Sequence, residues 1–536
     1  MKTYWGDTHQ NTYTSRLVPV PIPDILSFAR THLDFYAGAY YTPMMTRVSP
    51  LPDKLAAQLA RPGCEGLAST LGWLGFFEEG TKPRERIERE WAEFGAALSE
   101  AHEPGRFVTF PGYEWQGDGT WGDHNVMHLR EGEPVHTVRT LPELYALLRG
   151  TESIAIPHHI GYRTGIRAPD WSKCDEGITP YAEIFSVHGC SETDEEWIGL
   201  RNNPHMGPGL PGSMWQSALD KGLHLGAIAS TDNWQNMPGS WGKGLMACQA
   251  EDLSRESLWK AFRSRRVYAV TGDRIELDFT CNGKPMGSIL GPEAERRFEV
   301  TARGLDAIDR IELLRNGRVI ATHCHQGTWE AAKPGRQTRF RMRIEAGWGP
   351  KLGELPFGEH PWDGAASLSA GRFLNWFPCW TGRGQGVPAL EGGRARFKMV
   401  SAQNAVPNPF QTGVVLEFES DPAAELAVRL NGQEVRDPVA AFAAGGRVLW
   451  YRQESLDWVR EMTGIRYEEM ERQDPAYYQL AFKAKLYKAI PEEGYTARLS
   501  FVDAEPLAGE ANYRVRVEQR NGQRAWSSPI WAGARR

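Results

Sequence analysis

The chain has 536 residues, of which 24% are charged and 41% hydrophobic, and its formal net charge is −6. A single hydrophobic core stops growing at about 250–300 residues, so we expect two or three domains. The small negative charge argues against a nucleic-acid or anionic-membrane partner. The first residues lack the apolar segment of a signal peptide, no stretch is apolar over the length of a membrane span, and the seven cysteines are scattered. We therefore expect a cytoplasmic protein with no membrane contact and no disulfide framework.

Short apolar runs alternate with helical patterns over the first 270 residues or so. The predicted strands are 3–9, 33–41, 106–115, 124–130, 153–159, 181–189 and 224–233. The predicted helices are 23–33, 82–101, 141–150, 213–222 and 254–269. In the helix at 82–101, for example, apolar residues recur at spacings of four and three, which places them on one face. This alternation is typical of parallel β/α units in a barrel or a doubly wound sheet.

After about residue 271 the pattern changes to alternating polar and apolar residues, which indicates β-strands. Four Asn-Gly dipeptides lie between such runs, and this dipeptide is a strong signal for a tight hairpin. They are Asn282-Gly283, Asn316-Gly317, Asn431-Gly432 and Asn521-Gly522. A stretch rich in Gly, Pro and Trp at about 347–393 separates two β-rich regions. We interpret residues 273–536 as a β-sandwich-like module, in which 347–393 is a candidate insertion.

Candidate metal ligands lie at the ends of the predicted strands, and 11 of the 14 histidines precede residue 230. The side chains that open or close these strands are His9, Glu114, His124, His158, His159, His188 and Asp232. In a parallel β/α barrel the carboxyl ends of all strands meet at one face, so a metal centre explains this set most simply. Imidazoles and carboxylates without thiolates suit Zn, Mn or Fe.

Simpler explanations compete with a metal centre at several positions. A single histidine is most often a hydrogen-bonded structural residue, and this is our interpretation of His32, His128, His136, His205 and His224. Of the adjacent His158 and His159, only one is expected to bind metal, because neighbouring strand residues point to opposite faces. The 20 tryptophans are explained by core packing or by a flat-walled pocket. Arg163 and Arg167 are candidates for anion binding or for solvated loop charges.

The order of the motifs resembles a known family. GDTHQNT, LDFYAGAYY, GYEW, GDHNVM, IPHH, AEIFSVHG and ASTDNW follow one another as in the PHP (polymerase and histidinol phosphatase) family of metal-dependent phosphoesterases. The resemblance is closest to a PHP-like branch with a long C-terminal β region. It implies a distorted (β/α)7 barrel over residues 1–272, with up to three metals at its rim, followed by the β-sandwich-like module over 273–536.

The resemblance assigns ligands position by position, and the match is partial. The positions that correspond to family ligands are His9, Glu114, His124, one of the pair His158 and His159, and Asp232. Asn11 stands where the family has the second histidine of His-x-His, and Trp234 replaces the histidine of Asp-x-His. The family's Thr-Asp-His falls on Ala39, Tyr40 and Tyr41. We therefore expect that the third metal site is absent, that Tyr40, Tyr41 and Trp234 form an aromatic wall, and that one or two divalent ions are bound.

The sequence predicts a metal-dependent hydrolase of a small-molecule substrate, with a phosphoester or related ester as the first choice. Water whose pKa is lowered toward about 7 by the metal would attack the ester bond. We expect His159 or His188 to act as acid/base and Asp7 to orient the ligands. The candidate substrate contacts are Asn11, Tyr40, Tyr41, Trp115, Arg163, Asn233 and Trp234.

Two other functions stay open at this point. The first is cleavage of a carbohydrate-derived substrate, by hydrolysis or elimination, with tryptophans that stack on the sugar. The second is a degenerate barrel that binds a ligand without turnover. Assembly into a homo-oligomer is also left open.

Overall fold

The computed structural model describes residues 1–14, 20–47, 50–59, 77–195, 198–200, 208–234, 236–326, 334–349, 359–402, 411–469 and 481–534. The chain is a mixed α/β protein in which strands predominate over helices. None of the helices in the described ranges combines the length and the apolar character needed to cross a membrane. His205, interpreted above as structural, lies outside the described residues.

The helices are α1 (Ile22–Ala29), α2 (Asp53–Leu59), α3 (Arg84–Ala101), α4 (Leu141–Leu148), α5 (Trp215–Asp220), α6 (Arg255–Arg263), α7 (Val439–Ala444), α8 (Arg452–Thr463) and α9 (Glu492–Tyr495). Single 3₁₀ turns lie at Trp171–Lys173, Pro211–Ser213 and Tyr467–Glu469. The strands before residue 272 are β1 (Lys2–Asp7), β2 (Asn11–Thr12), β3 (Phe35–Ala37), β4 (Ala39–Tyr41), β5 (Pro43–Arg47), β6 (Phe77–Thr81), β7 (Val108–Phe110), β8 (Gly112–Trp115), β9 (His124–His128), β10 (Ser153–Pro157), β11 (Tyr181–Ser186), β12 (Gly189–Cys190), β13 (Gly226–Ala229), β14 (Leu245–Ala250) and β15 (Val267–Val270).

The later strands are β16 (Glu276–Cys281), β17 (Lys284–Pro285), β18 (Ile289–Leu290), β19 (Arg296–Arg303), β20 (Ile308–Arg315), β21 (Arg318–Cys324), β22 (Thr338–Gly347), β23 (Glu359–Leu368), β24 (Arg372–Cys379), β25 (Gly386–Glu391), β26 (Arg394–Ala402), β27 (Thr412–Ser420), β28 (Glu425–Leu430), β29 (Gln433–Pro438), β30 (Arg447–Tyr451), β31 (Phe482–Leu486), β32 (Ile490–Pro491), β33 (Thr496–Asp503), β34 (Ala511–Gln519), β35 (Arg524–Ser527) and β36 (Ile530–Ala532).

Parallel pairing joins the first strands of the chain. β1 pairs in parallel with β3, and β3 with β7. In a second sheet β2, β4 and β8 pair in parallel, and in a third β11 pairs in parallel with β13. The amphipathic helix predicted at 82–101 is α3, which buries Ile87, Phe94 and Leu98. An isolated parallel bridge between Gln10 and Asn233 brings together the segments that follow β1 and β13.

The expectation of parallel pairing throughout this half does not hold. β9 pairs antiparallel with both β8 and β10, and β14 pairs antiparallel with β1 and β15. The segment between β8 and β9 is short and contains no helix, whereas a parallel return needs a crossover of roughly a dozen or more residues. The strands before residue 272 lie in several sheets, so the closed (β/α)7 barrel stays a prediction.

Three of the four Asn-Gly dipeptides form two-residue hairpin turns, as predicted. Both residues have positive φ angles at 282–283 (48° and 75°), at 316–317 (49° and 80°) and at 431–432 (41° and 83°). These turns join β16 to β17, β20 to β21 and β28 to β29. Positive φ at both central residues matches the twist of a hairpin, and Asn followed by Gly adopts it at low cost. The dipeptide at 521–522 lies in a longer connection between β34 and β35.

A β-sandwich forms between β22 and β32. Its two sheets have the strand orders β24-β27-β22-β31-β30 and β25-β26-β23-β28-β29. They enclose a separate core that contains Phe340, Trp362, Phe397 and Val428. The described part of the predicted insertion supplies β23, β24 and β25 to these sheets. In the chain, β19 precedes the sandwich and β33 follows it. The two strands pair antiparallel, so after the sandwich the chain returns to the sheet that contains β19.

One long sheet continues across the predicted domain boundary. Its order is β18-β36-β34-β35-β15-β14-β1-β3-β7, and β15 before the boundary pairs with β35 near the C-terminus. The division into residues 1–272 and 273–536 stays a prediction. The first strands of the chain and its last strands nevertheless share hydrogen bonds and a common core.

His32 provides a test of this packing by its pH dependence. The ring is buried after α1, with Nε2 3.0 Å from the carbonyl oxygen of Pro238. Burial, together with the nearby Arg274, lowers the pKa of His32 to about 4. The pKa in the unfolded chain is about 6.5, so the unfolded state binds the proton first as the pH falls.

We expect His32 to destabilise the fold by about 2 kcal/mol at pH 5 relative to pH 7, and by more as the pH approaches 4. Urea unfolding at the two pH values would measure this difference for the native chain and for His32→Gln. The variant should lose less stability between pH 7 and pH 5 than the native chain does. Equal losses of stability in the two proteins would show that folding does not lower the pKa of His32.

Candidate metal centre

Eight ionisable side chains meet where the N-terminal strands end. They are His9, Glu114, Asp123, His158, His159, Glu183, His188 and Asp232, and we call them the strand-end cluster. Seven of them are buried, and the side chain of His188 is 14% exposed. His188 is therefore the member of this cluster that is most open to solvent.

The strand-end cluster divides into four overlapping groups whose potential ligand atoms lie within 4.8 Å of one another. The groups are His9, Glu114 and His158; Asp123, His158 and His159; His159, His188 and Asp232; and His9, Glu183 and Asp232. His9, His158, His159 and Asp232 each belong to two groups. The groups thus form one continuous patch that could hold more than one ion.

His9 lies between three carboxylates. Its Nδ1 is 2.9 Å from Oε2 of Glu183, while its Nε2 is 3.5 Å from Oε2 of Glu114 and 3.3 Å from Oδ1 of Asp232. Burial opposes protonation of the ring, but Asp232 and Glu183 raise the pKa of His9 well above its usual value. In this arrangement Glu183 accepts a hydrogen bond from Nδ1, which leaves Nε2 on the side of Glu114 and Asp232.

Both His158 and His159 belong to the strand-end cluster. β10 ends at Pro157, and His159 has a positive φ of 36°, so the strand rule that would separate the two rings no longer applies. Nε2 of His158 is 3.9 Å from Oε1 of Glu114, and Nε2 of His159 is 3.2 Å from Oδ2 of Asp123. Burial and neighbouring positive charge lower the pKa of both rings well below the usual value. Neutral imidazoles are the form that binds metal.

Asp232 connects two of the groups. Oδ2 is 2.9 Å from Nε2 of His188, and Oδ1 accepts a hydrogen bond of 3.2 Å from the amide of Asn11. Burial opposes ionisation, but His9 and His188 hold the pKa of Asp232 well below its usual range. Its φ of 47° is unusual for a residue other than glycine, and strained backbone of this kind concentrates at functional sites. Asn11 therefore contacts a candidate ligand directly.

Asp7 holds the backbone beneath the strand-end cluster. Its carboxylate accepts hydrogen bonds from the backbone N–H groups of His9 (3.1 Å), Thr231 (3.1 Å) and Gly239 (2.8 Å). It also accepts one from the Thr231 hydroxyl at 2.6 Å. These contacts tie the segment after β1 to the segment after β13, which carry His9 and Asp232. They are consistent with the orienting role expected for Asp7.

The predicted ligand His124 lies beside the strand-end cluster and belongs to none of the four groups formed by described residues. Its Nδ1 is 2.9 Å from the carbonyl oxygen of Gly122, and its ring packs edge-on against Trp115. Burial lowers the pKa of His124 to about 4. The neighbouring Asp123 reaches the histidine pair instead. The assignment of His124 as a ligand stays a prediction.

Sequence reasoning missed Asp123 and Glu183. Glu183 interrupts the otherwise apolar centre of β11, and an acidic residue inside a strand buried on both faces is the signal that could have revealed it. Burial raises the pKa of Glu183 to about 7 and that of Asp123 to about 6. Asp123 was overlooked because the neighbouring His124 matched the expected ligand of the motif.

The two tyrosines of β4 face different ways. The ring of Tyr41 lies 4.4 Å from that of Trp234, and the Gln116 amide donates both to the Tyr41 hydroxyl (3.3 Å) and to Oε1 of Glu114 (2.5 Å). Tyr40 instead donates its hydroxyl to Glu90 at 2.8 Å. Adjacent strand residues point to opposite faces, so only Tyr41 reaches the cluster side. An aromatic wall next to Glu114 therefore consists of Tyr41 and Trp234.

The other predicted substrate contacts differ in their surroundings. The Trp115 indole N–H donates to the carbonyl oxygen of Val138 at 2.7 Å, and the Asn233 amide donates to that of Met237 at 2.7 Å. Arg163 is exposed. Arg167, on the same loop, lies 2.5 Å from Oδ2 of Asp123. Of the two loop arginines, Arg167 is the one that contacts the cluster.

The donor set fits a divalent metal ion. Among the described residues, several buried atoms of the site have no hydrogen-bond partner, including Nε2 of His9, Oδ1 of Asn11, Oε2 of Glu114 and Nδ1 of His158. Unsatisfied buried polar atoms are costly, and a cation would satisfy them together. Imidazoles with carboxylates and no thiolate match Zn, Mn or Fe. The described residues thus include clusters that could hold metal ions.

Comparisons with known proteins find distant relatives. No protein-family profile matches the chain. An uncharacterised protein of Chlamydia pneumoniae is 26% identical over 256 residues, which cover 43% of this chain and 40% of that protein. One of Chlamydia muridarum is 26% identical over 255 residues, with the same coverage. The chain spans about two fifths of the length of these curated relatives.

One solved structure also resembles part of the chain. It is a two-domain protein from Bacteroides vulgatus, described as containing a predicted PHP-like metal-dependent phosphoesterase. The match covers 58% of this chain and 79% of that one, at 12% sequence identity and a TM-score of 0.29. A TM-score of this size does not establish a common fold.

Proposed function

We propose that the protein is a metal-dependent hydrolase that binds one or two divalent ions in the strand-end cluster. The observation that carries the proposal is the overlap of four groups of histidines and carboxylates within one buried patch. Burying four carboxylates and four histidines together is costly unless their charges and lone pairs are satisfied. A structural role alone would not require so many at the ends of different strands.

The ligands divide between two positions that share residues. His9, Glu114 and His158 would hold one ion, and His159 would hold the other, either with Asp123 and His158 or with His188 and Asp232. Glu114 faces His9 with Oε2 and His158 with Oε1, so either of its oxygens could reach the first ion. A divalent ion held there would polarise an ester oxygen and lower the pKa of water.

The remaining residues of the site orient the ligands and handle protons. Asp7 fixes the backbone of the two segments that carry His9 and Asp232. Glu183 accepts the Nδ1 hydrogen of His9 and so directs Nε2 to the cluster. His188 is half-buried at the edge, where its ring can pass a proton between the site and solvent. We therefore assign a ligand role to His159, and to His188 the acid/base role or, where an ion occupies the group with His159 and Asp232, a ligand role.

The proposed substrate is a phosphoester. The order of the motifs that resembles the PHP family supports this choice, and two ions suit the displacement at phosphorus. The contact between Tyr41 and Trp234 favours a second candidate, a carbohydrate-derived substrate whose ring would stack on an aromatic face.

Metal analysis followed by activity assays would test both candidates. We expect the purified protein to retain about one or two Zn, Mn or Fe ions per chain after dialysis, and to hydrolyse an aryl phosphomonoester or diester. A chelator should remove the activity, and the same metal should restore it. Less than a few tenths of an ion per chain, with or without added Zn or Mn, would overturn the proposal. Bound metal with activity only on sugar derivatives would favour the second candidate, and bound metal without turnover would favour a binding protein.

A further inference from the structure

Tyr162 joins the loop after β10 to the end of β11. It lies three residues after His159 and is 1% exposed, within a small apolar cluster formed with Ala168, Leu200 and Met214. Its hydroxyl oxygen is 2.9 Å from Nδ1 of His188. Apolar packing therefore fixes the ring, and the hydroxyl is directed at one nitrogen of a candidate ligand.

The other nitrogen of His188 determines the direction of this hydrogen bond. Nε2 lies 2.9 Å from Oδ2 of Asp232, and an ionised carboxylate can only accept. With no cation between the two atoms, a hydrogen on Nε2 is the arrangement that avoids repulsion between two acceptors, although Oδ2 accepts no hydrogen bond of good geometry. In the neutral ring Nδ1 is then an acceptor, and the hydroxyl of Tyr162 donates to it. Nδ1 of His188 is thus held by a hydrogen bond with Tyr162, and Nε2 by a charge contact with Asp232.

The same hydroxyl can serve His188 as a metal ligand. For Nε2 to offer its lone pair, the ring hydrogen has to lie on Nδ1 instead, with the total number of protons unchanged. A tyrosine hydroxyl oxygen can accept that hydrogen as readily as the hydroxyl can donate its own. A phenylalanine at this position could do neither, and Nδ1 would face an apolar ring.

We propose that Tyr162 is a positioning residue of the metal centre, which holds the ring of His188 so that Nε2 faces Asp232 and His159. This role rests on the proposed function, because it concerns the group formed by His159, His188 and Asp232. Residues that orient a ligand in this way typically contribute about 10–100-fold to metal affinity. Tyr162 contributes through His188 and makes no contact with the ion itself.

A double-mutant cycle would test this role. The variants are Tyr162→Phe, His188→Ala and the double variant, and the readout is the Zn²⁺ dissociation constant measured by competition with a chromophoric chelator. Loss of the hydroxyl should weaken Zn²⁺ binding about 10–100-fold when His188 is present, and by less than about twofold when it is absent. Tyr451→Phe is a matched control, because its buried hydroxyl donates to the carbonyl oxygen of Leu430 at 2.8 Å in the sandwich.

Urea unfolding of the metal-free proteins gives a second readout if His188→Ala binds Zn²⁺ too weakly to measure. Removing the hydroxyl should raise the equilibrium constant for unfolding about 2–10-fold, and only when His188 is present. Equal effects of Tyr162→Phe in both backgrounds, or no effect in either, would overturn the positioning role. A native chain that binds Zn²⁺ and obeys the cycle but hydrolyses no ester would overturn the hydrolase and keep this role. A native chain that binds no Zn²⁺ would overturn both.

Discussion

Replacing His158 by alanine is expected to reduce bound metal to background and to lower the rate of hydrolysis by about 10³-fold or more. His158 belongs to two of the four groups, and its ring packs 4.2 Å from that of His9. Loss of this imidazole removes a candidate ligand from both of these groups. The transition-state stabilisation of a catalytic ion is several kcal/mol, and each 1.4 kcal/mol or so corresponds to a factor of ten in rate.

Metal content per chain and kcat/KM on an aryl phosphoester would measure the effect. His128→Gln is the matched control, since His128 is also a buried histidine of a neighbouring strand but hydrogen-bonds to the Ser153 hydroxyl at 2.7 Å. This control should keep its metal and most of its activity. Full metal content in His158→Ala would show that the ions bind elsewhere.

Replacing Glu192 by glutamine is expected to lower the free energy of unfolding by about 3–5 kcal/mol. The carboxylate is fully buried and accepts hydrogen bonds from Nε of Arg514 at 2.9 Å and from Nε of Arg516 at 2.8 Å. Arg514 is itself 1% exposed, so the substitution would leave a buried guanidinium without its counter-charge.

The ion pairs of Glu192 with the two arginines also predict a pH dependence of stability. Burial opposes ionisation of Glu192, but the two arginines hold its pKa below the usual value. A carboxylate with a lowered pKa contributes stability above its unfolded pKa of about 4.3, and this contribution is lost as the pH falls through the folded pKa. The native chain should therefore lose stability below about pH 4 more steeply than Glu192→Gln does.

Urea unfolding at pH 7 and at pH 3.5–4.5 would measure both effects. Glu312→Gln is the control, because the Glu312 carboxylate also pairs with Arg516, at 3.5 Å, but is 15% exposed. Partly exposed pairs of this kind contribute less than about 1 kcal/mol. A similarly small loss in Glu192→Gln would show that the two arginines find other partners.

Much of the local structure follows from the sequence alone. The helix at 82–101 is recognisable because its apolar residues repeat with the helical period, and the turns at 282, 316 and 431 because Asn-Gly favours positive φ at both positions. Six of the seven ligands predicted at strand ends belong to the strand-end cluster, since a short strand delivers the residue after its end to a fixed edge. All of these features depend on residues that are close together in the sequence.

The pairing of distant segments decided the rest. A shift of one residue in a strand reverses the face of a side chain, and this is why Tyr41 rather than Tyr40 lies beside Trp234. Asp123 precedes β9 and reaches the histidine pair, whereas His124, the first residue of β9, lies beside the groups. Glu183 enters the site because β11 lies next to β13, and not because of any residue near it in sequence.

The amino-acid sequence by itself determined the chemistry of this protein, a set of imidazoles and carboxylates placed at strand ends. Only the tertiary structure decided which of them share an ion position, because ligand geometry depends on strand register over distances of up to about two hundred residues, as between His9 and Asp232. It also decided that the C-terminal strands complete the sheet of the N-terminal ones, with Glu192 as the buried charge between them. The free energy that selects this arrangement comes from burial and pairing, which no local pattern records.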